Sequence, residues 1–156
     1  MGLMIRRLQP EDLTQLVALC ADHAAYEKLD YVPDNQAERL QQAVFGEPAR
    51  LYVWVVADGP QLRGYLSATL DYSTWSAAPF AYMDCLYLQE PMRGQGWGRK
   101  LLATLAAFAG EHGCRQIQWQ TPPDNLSGIG FYQAIGAQSL PKSRFHLNQG
   151  VGLWER

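Results

Sequence analysis

Chemistry in this chain gathers around one glycine-rich run, Arg93-Gly94-Gln95-Gly96-Trp97-Gly98-Arg99-Lys100. It follows a strand-like segment, Phe80 to Leu88, and opens a helix-like one, Trp97 to His112. Glycines let the backbone turn tightly and let a ligand approach closely. The first turn of a helix carries free N–H groups and the positive end of the helix dipole. Loop and helix start together make an anion cradle, most often for phosphate. A Walker A loop needs Ser or Thr after Gly-Lys, whereas Gly98 is followed by Arg99, Lys100 and Leu101. A dinucleotide fingerprint needs a third glycine where Arg99 stands. The pattern met is Arg-x-x-Gly-x-Gly, at Arg93, Gly96 and Gly98.

Two further side chains could move protons. Asp84 is a carboxylate in an otherwise apolar strand, which is costly unless paired or hydrogen-bonded. Such groups either serve function or bond a loop backbone. Tyr132 is a phenol able to donate one proton or hydrogen bond, or else a core tyrosine whose ring packs. His23, His112 and His146 show no metal spacing, and satisfied or surface histidines are the default reading. No metal is expected. Cys85 has no histidine near it in sequence and reads as a small hydrophobe rather than a nucleophile.

Composition limits the partners. With 156 residues and 47% hydrophobic content, the chain is expected to form one domain, residues 1–156, with a real core. Net charge is −2 and no basic block occurs, which argues against nucleic acid. Cys20, Cys85 and Cys114 are far apart and form no CxxC pair, so neither a disulfide framework nor a zinc site is indicated. A reduced, cytoplasmic setting is expected. The start lacks a long apolar signal core, and no apolar run approaches the roughly 20 residues that span a bilayer, so no membrane partner is expected.

The elements that must position these residues follow from periodicity. Leu3 to Leu8 reads as a strand. Pro10-Glu11-Asp12 suits a helix start, and Leu13, Leu16, Val17, Cys20 and Ala24 carry that helix to about Tyr26 or Glu27. Asp34 or Asn35 can cap a second helix through Val44. Leu51 to Ala57 and Arg63 to Tyr72 form a hairpin across Asp58-Gly59-Pro60. In Phe80 to Leu88, alternation puts Phe80, Tyr82, Leu86 and Leu88 on one face and Ala81, Met83, Cys85 and Tyr87 on the other, as for a strand covered on both sides. Leu101, Leu102, Leu105, Phe108 and Ala109 make an amphipathic stripe on the third helix. A strand at Ile117 to Trp119, a helix from Ser127 to Ile135 and a last strand from Arg144 to Asn148 complete the chain, with the final VGLWER extending the sheet or hanging free. The order β-α-α-β-β-β-α-β-α-β predicts a mixed α/β sheet with helices on both faces and the ligand at a strand's carboxyl end.

The glycine run resembles the acyl-CoA pyrophosphate loop of the GCN5-related N-acetyltransferases, the GNAT family. Asn125-Leu-Ser-Gly128-Ile-Gly-Phe131-Tyr132-Gln-Ala-Ile-Gly136 resembles that family's Asn-x-x-Ala-x-x-Phe-Tyr-x-x-x-Gly, with Gly128 where alanine is usual. The likeness extends to the diamine and thialysine acetyltransferase branch. Ala24-Ala25-Tyr26-Glu27 is similar to its Ala-x-Tyr-Glu, Ser73-Thr74-Trp75 stands where it has Asp-Pro-Trp, and Met83-Asp84-Cys85-Leu86-Tyr87-Leu88 resembles its Leu-Glu-Asp-Leu-Tyr-Val.

The resemblance implies a GNAT fold with a mixed, mostly antiparallel central sheet flanked by helices, acetyl-CoA as co-substrate, a small-molecule amine as acceptor and a homodimer. It implies that Arg93, Gly94, Gln95, Gly96, Trp97, Gly98 and Arg99 bind the cofactor, the backbone N–H groups of Gln95 to Arg99 holding the pyrophosphate. Leu86, Tyr87 and Leu88, on a strand splayed from its neighbour, would meet the pantetheine arm, with the Leu86 N–H polarising the thioester carbonyl. Arg99 and Lys100 either reach the adenosine 3′-phosphate or stay solvated. Phe131 belongs to the cofactor side, and Asn125 either contacts the cofactor or caps the following helix. Tyr132 would protonate the departing thiolate and Asp84 would deprotonate the amine, directly or through water. Glu27 and Trp75, with Asp84, would receive the amine; Asp71 and Glu90 are acidic near the expected site. Two acids of the branch become Ser73 and Cys85 here, which favours a singly charged amine over a polyamine. The alternatives are a peptide or protein amine as acceptor, and a CoA-binding regulatory module without turnover.

Overall fold

The computed structural model describes residues 2–150 and 152–153. Five strands form one sheet in the order β1-β2-β3-β4-β5: β1 Leu3–Arg7, β2 Tyr52–Asp58, β3 Gln61–Ser73, β4 Ala78–Leu88 and β5 Ile117–Gln118. The first four pair antiparallel, and β5 joins β4 in parallel. Helices α1 (Leu13–Tyr26) and α2 (Gln36–Phe45) cover one face. Helix α3 (Trp97–Glu111) and part of α4 (Leu126–Ala134) cover the other.

Each face has its own core, because β2 and β3 are apolar on both sides. Val53, Val55 and Tyr65 point to Leu13, Leu16 and Leu19 of α1. Trp54, Val56 and Leu66 point to Leu101, Leu105 and Ala109 of α3. Leu66, Leu101 and Leu105 are completely buried. Each is worth about 2 kcal/mol of transfer free energy relative to exposure, so the sheet and α3 form a rigid platform under the glycine loop.

The chain enters α1 through a 3-10 turn, Pro10–Asp12. The buried Asp12 carboxylate accepts from the Gln9 backbone N–H at 2.8 Å and from both Arg6 terminal nitrogens, at 2.7 and 3.0 Å. Burial opposes its charge, but Arg6 and the Gln9 N–H outweigh burial and hold its pKa below the ordinary value. Asn35 occupies the position before α2 with positive φ and makes no side-chain cap.

Simple alternation fails in β4. Cys85 pairs with Ser67 and Met83 with Ala68, so Asp84 stands as an unpaired extra residue. This bulge reverses the faces. Ala81 and Met83 before it, and Leu86 and Leu88 after it, all pack in the α3 core, while Cys85 and Tyr87 turn to the α1 core. The expected grouping of Leu86 and Leu88 with Phe80 and Tyr82 is therefore corrected. So is the expectation that Asp84 is a costly buried carboxylate: it is exposed at the bulge.

The strand expected at Arg144 to Asn148 is absent. Leu140, Phe145 and Leu147 are largely exposed, and no strand flanks the outer edge of β5 among the described residues. β5 pairs over only two residues, too short a template to hold a further strand. Of the VGLWER end, Val151, Trp154, Glu155 and Arg156 lie outside the described residues.

Candidate active site

The parallel pairing of β4 with β5 is confined to Ala81 with Ile117 and Tyr82 with Gln118. Beyond it the chains part. From Met83 to Leu88 the outer edge of β4 has no strand partner among the described residues. Trp119, Gln120 and Thr121 form the far wall of the wedge, braced where Gln120 Nε2 donates to the Tyr82 hydroxyl at 2.6 Å. A cavity of about 470 Å³ fills the wedge.

The glycine loop closes one part of this cavity. Gly94 and Gly96 have φ of 73° and 86°, a region that L side chains rarely adopt. Those turns present the start of α3, where Gly98 is buried against Phe131. A Cβ at Gly98 would sit 3.2 Å from the Phe131 ring. The glycine thus lets α4 seat against α3 and holds Tyr132 at the cavity. Gly94, Gly96, Trp97, Gly98 and Arg99 all line it; Gln95 does not, and its amide donates to the Pro91 carbonyl at 2.9 Å. Lys100 lies over the Trp97 ring, 4.3 Å from its centroid.

Arg93 behaves differently from a phosphate-facing cation. Its Nε donates to the Leu88 carbonyl at 2.9 Å, and its guanidinium lies over Tyr26 and Tyr87, 4.6 and 5.6 Å from their ring centroids. It ties the end of β4 to the end of α1. The Leu88 carbonyl already has a donor, so of the three expected backbone positions Leu88 offers less than Leu86 and Tyr87.

Asn125 caps α4, its Oδ1 accepting from the Gly128 N–H at 3.2 Å. Its Nδ2 donates to Thr121 Oγ1 at 2.8 Å, and Oδ1 also accepts from the Tyr26 hydroxyl at 3.2 Å. Between cap and cofactor contact, the described geometry is that of a cap facing the cavity. It explains Gly128, because a Cβ there would run into the Asn125 amide.

Tyr132 lines the cavity with its ring 5.1 Å from Trp119. Burial, reinforced by the Glu27 carboxylate, pushes its phenol up to about 12, so it holds its proton at neutral pH. Cys85 is pushed up to about 12 by burial and by Asp84 beside it, whose carboxylate lies 3.6 Å from the sulfur. It stays a thiol, which removes its value as a nucleophile. Asp84 and Glu27 both line the cavity.

Trp75 is elsewhere. It stands fully exposed in the β3–β4 turn and takes no part in the cavity wall. Asp71 accepts locally from Thr69 Oγ1, and Asp71 and Glu90 are likewise absent from the wall. The long β3–β4 hairpin carries Asp71 and Trp75 away with its outer end, while Glu90 lies in the turn after β4.

A family description, Acetyltransferase (GNAT) family, matches residues 12–137. The chain belongs to that family. The match includes the loop, the wedge and both helices that flank it, and membership makes the protein an N-acetyltransferase. Among curated relatives, the thialysine N-epsilon-acetyltransferase of Bos taurus is 31% identical over 149 residues, covering 90% of this chain and 86% of its own. An aminoglycoside N(6')-acetyltransferase type 1 of Stenotrophomonas maltophilia is 26% identical, covering 70% and 72%. Among solved structures, AAC(6')-Iy in complex with the bisubstrate analog CoA-S-monomethyl-acetylneamine superposes with a TM-score of 0.78 at 17% identity, over 96% of this chain and 99% of that one.

For this GNAT chain, sequence reasoning passed over the lining residues His23, Trp119, Gln120 and Thr121, none of which belongs to a motif, and gave Tyr26 and Cys85 no place in the site although both stand in motif-like runs. His23 had one usable signal, its position four residues before Glu27, which puts both on one face of α1. Among the described residues no cluster of His, Cys, Asp and Glu is arranged to hold a metal, and no helix is long and apolar enough to cross a membrane.

Proposed function

We propose that this enzyme moves an acetyl group from acetyl-CoA to a primary amine of a small molecule by direct attack in a ternary complex. One observation carries the reading: a single cavity joins the glycine loop and the unpaired edge of β4 to Tyr132, Asp84 and Glu27. Its volume, about 470 Å³, suits a small acceptor beside the acyl arm. The relatives support the same class, since the names of the cattle and Stenotrophomonas proteins both specify amine acetylation.

In this reading the pyrophosphate rests on the N–H groups that open α3, and the pantetheine arm runs along Leu86 and Tyr87. The acceptor enters as an ammonium and loses a proton to Asp84, directly or through water. The free amine adds to the thioester carbonyl, whose oxygen the Leu86 N–H polarises. Collapse breaks the C–S bond, Tyr132 gives its proton to the departing thiolate, and the proton shed by the new amide nitrogen returns to the Tyr132 phenolate through water. An acyl-cysteine step is disfavoured, because Cys85 remains a protonated thiol. The free cysteines Cys20, Cys85 and Cys114 support a reducing, cytoplasmic setting.

The test is thiol release from acetyl-CoA with a panel of spermidine, diaminopropane, lysine, thialysine, other amino acids and a lysine peptide. Release with a small amine is the expected result. Release with the peptide alone would replace the acceptor class, and acetyl-CoA binding without any release would favour a non-catalytic module.

A further inference from the structure

Resting on that reading, we infer that Tyr65, His23 and Glu27 form a directed hydrogen-bond chain that presents one Glu27 oxygen to the acceptor's ammonium, with His23 as its positioning residue. The three come from two elements. Tyr65 is on β3, only 2% exposed, and its hydroxyl lies 2.9 Å from His23 Nδ1. His23 Nε2 lies 2.7 Å from Glu27 Oε2. The His23 and Glu27 side chains are 13% and 23% exposed, and both line the cavity. The imidazole is clamped flat against Tyr87, with ring centroids 5.1 Å apart and planes inclined by 22°.

The direction of the chain follows from the donors available. Burial pushes the Tyr65 phenol far above the range in which it could ionise, so it always carries a proton to give. Its neighbours Cys20 and Cys85 are weak sulfur acceptors, and Nδ1 is the strong one. Once Nδ1 accepts, the neutral ring carries its hydrogen on Nε2, because the bond at one nitrogen sets the tautomer at the other. Nε2–H then donates to Glu27 Oε2 and leaves Oε1 free.

Among the described residues the ring meets the Tyr65 hydroxyl, the Glu27 carboxylate and the Tyr87 face; Cys20 and Cys85 lie against Tyr65, and Asp84 lies beside Cys85. The nearby cation Arg93 is committed to the Leu88 carbonyl and the Tyr26 and Tyr87 faces. Among the described residues no lysine or arginine pairs with Glu27. Its charge is therefore open to a substrate cation. The influence of Glu27 on the Tyr132 phenol fits an ammonium anchored across the cavity from the proton donor.

Three variants separate this role from packing. His23→Gln keeps an N–H that can reach Glu27, His23→Asn keeps only an acceptor for Tyr65, and His23→Leu keeps neither. A lost hydrogen bond to a charged group predicts that the KM for the amine rises about tenfold or more in the Leu and Asn variants and stays within about threefold in the Gln variant. The KM for acetyl-CoA should not move in any of them. An unchanged amine KM in His23→Leu, or failure of the Gln variant alongside the others, overturns the inference. A readout free of turnover is the 15N spectrum of the histidines. The His23 signal should report the Nε2–H tautomer and shift in Glu27→Gln; an Nδ1–H tautomer refutes the chain. Silence of the wild type with every amine would defeat the proposed reaction, and the spectrum would still decide the hydrogen-bond chain.

Discussion

The two ends of the cavity are built by different means. The end proposed for the cofactor is made of backbone: the positive-φ turns at Gly94 and Gly96, the opening turn of α3 and the unpaired edge of β4. The end proposed for the amine is made of side chains from three separate elements, with His23 and Glu27 on α1, Tyr65 on β3 and Asp84 on β4. A backbone site needs particular residues at fixed local spacing, so it leaves a motif. A side-chain site needs only that the fold bring distant residues together, so it leaves almost none.

If that contrast holds, damage at each end should show differently. The largest effect belongs to the loop. Gly96→Glu forces a side chain into a φ of 86° and sets a carboxylate against the phosphates, so calorimetric titration with CoA should show no binding. Normal binding would put the anion cradle elsewhere. Next is Tyr132→Phe, where the two ends meet. Loss of a general acid predicts a fall in kcat of about a hundredfold or more with CoA affinity nearly intact. A fall in affinity instead would make Tyr132 a cofactor contact.

A moderate effect is expected at the start of α1, away from the cavity, in stability. Asp12→Asn leaves Arg6 without its carboxylate and should cost about 2 kcal/mol in urea unfolding at pH 7. The sign with pH is fixed by the direction of the shift. A carboxylate held below its unfolded pKa stabilises fully above about pH 3.9 and loses that contribution as pH falls through its native value. The gap between variant and wild type should be constant above about pH 5 and close in more acidic solution. A gap independent of pH would mean that packing, not charge, holds the turn. The smallest effect is Trp75→Ala, which should leave both KM values within about twofold, as for an exposed residue away from the site. A large rise in the amine KM would bring the β3–β4 turn back into the acceptor site.

Much of the fold was legible from periodicity. The stripe of Leu101, Leu102 and Leu105 marked α3, and Asp58-Gly59-Pro60 marked the β2–β3 turn. What misled was everything that depends on a partner. The alternation in β4 breaks at Asp84 because the register against Ser67 and Ala68 shifts there, and no residue type in β4 announces it. Arg144 to Asn148 has the composition of a strand, but β5 offers too short an edge to pair with it. In the site, Gly96, Gly98 and Tyr132 were legible as motif positions. Trp75 was not separable from the cavity by sequence, since only the length of the β3–β4 hairpin takes it away.

By itself the sequence determined the local features: which segments are helical, where glycine permits the loop, and which stretches are apolar enough to be covered on both faces. These rest on interactions between near neighbours, so residue type and spacing suffice. Tertiary structure alone decided the wedge between β4 and β5, the reversal of faces at Asp84, and the meeting of Tyr65 with His23 across 42 positions. Those features are contacts between distant parts of the chain, formed only when the two cores close on opposite faces of one sheet.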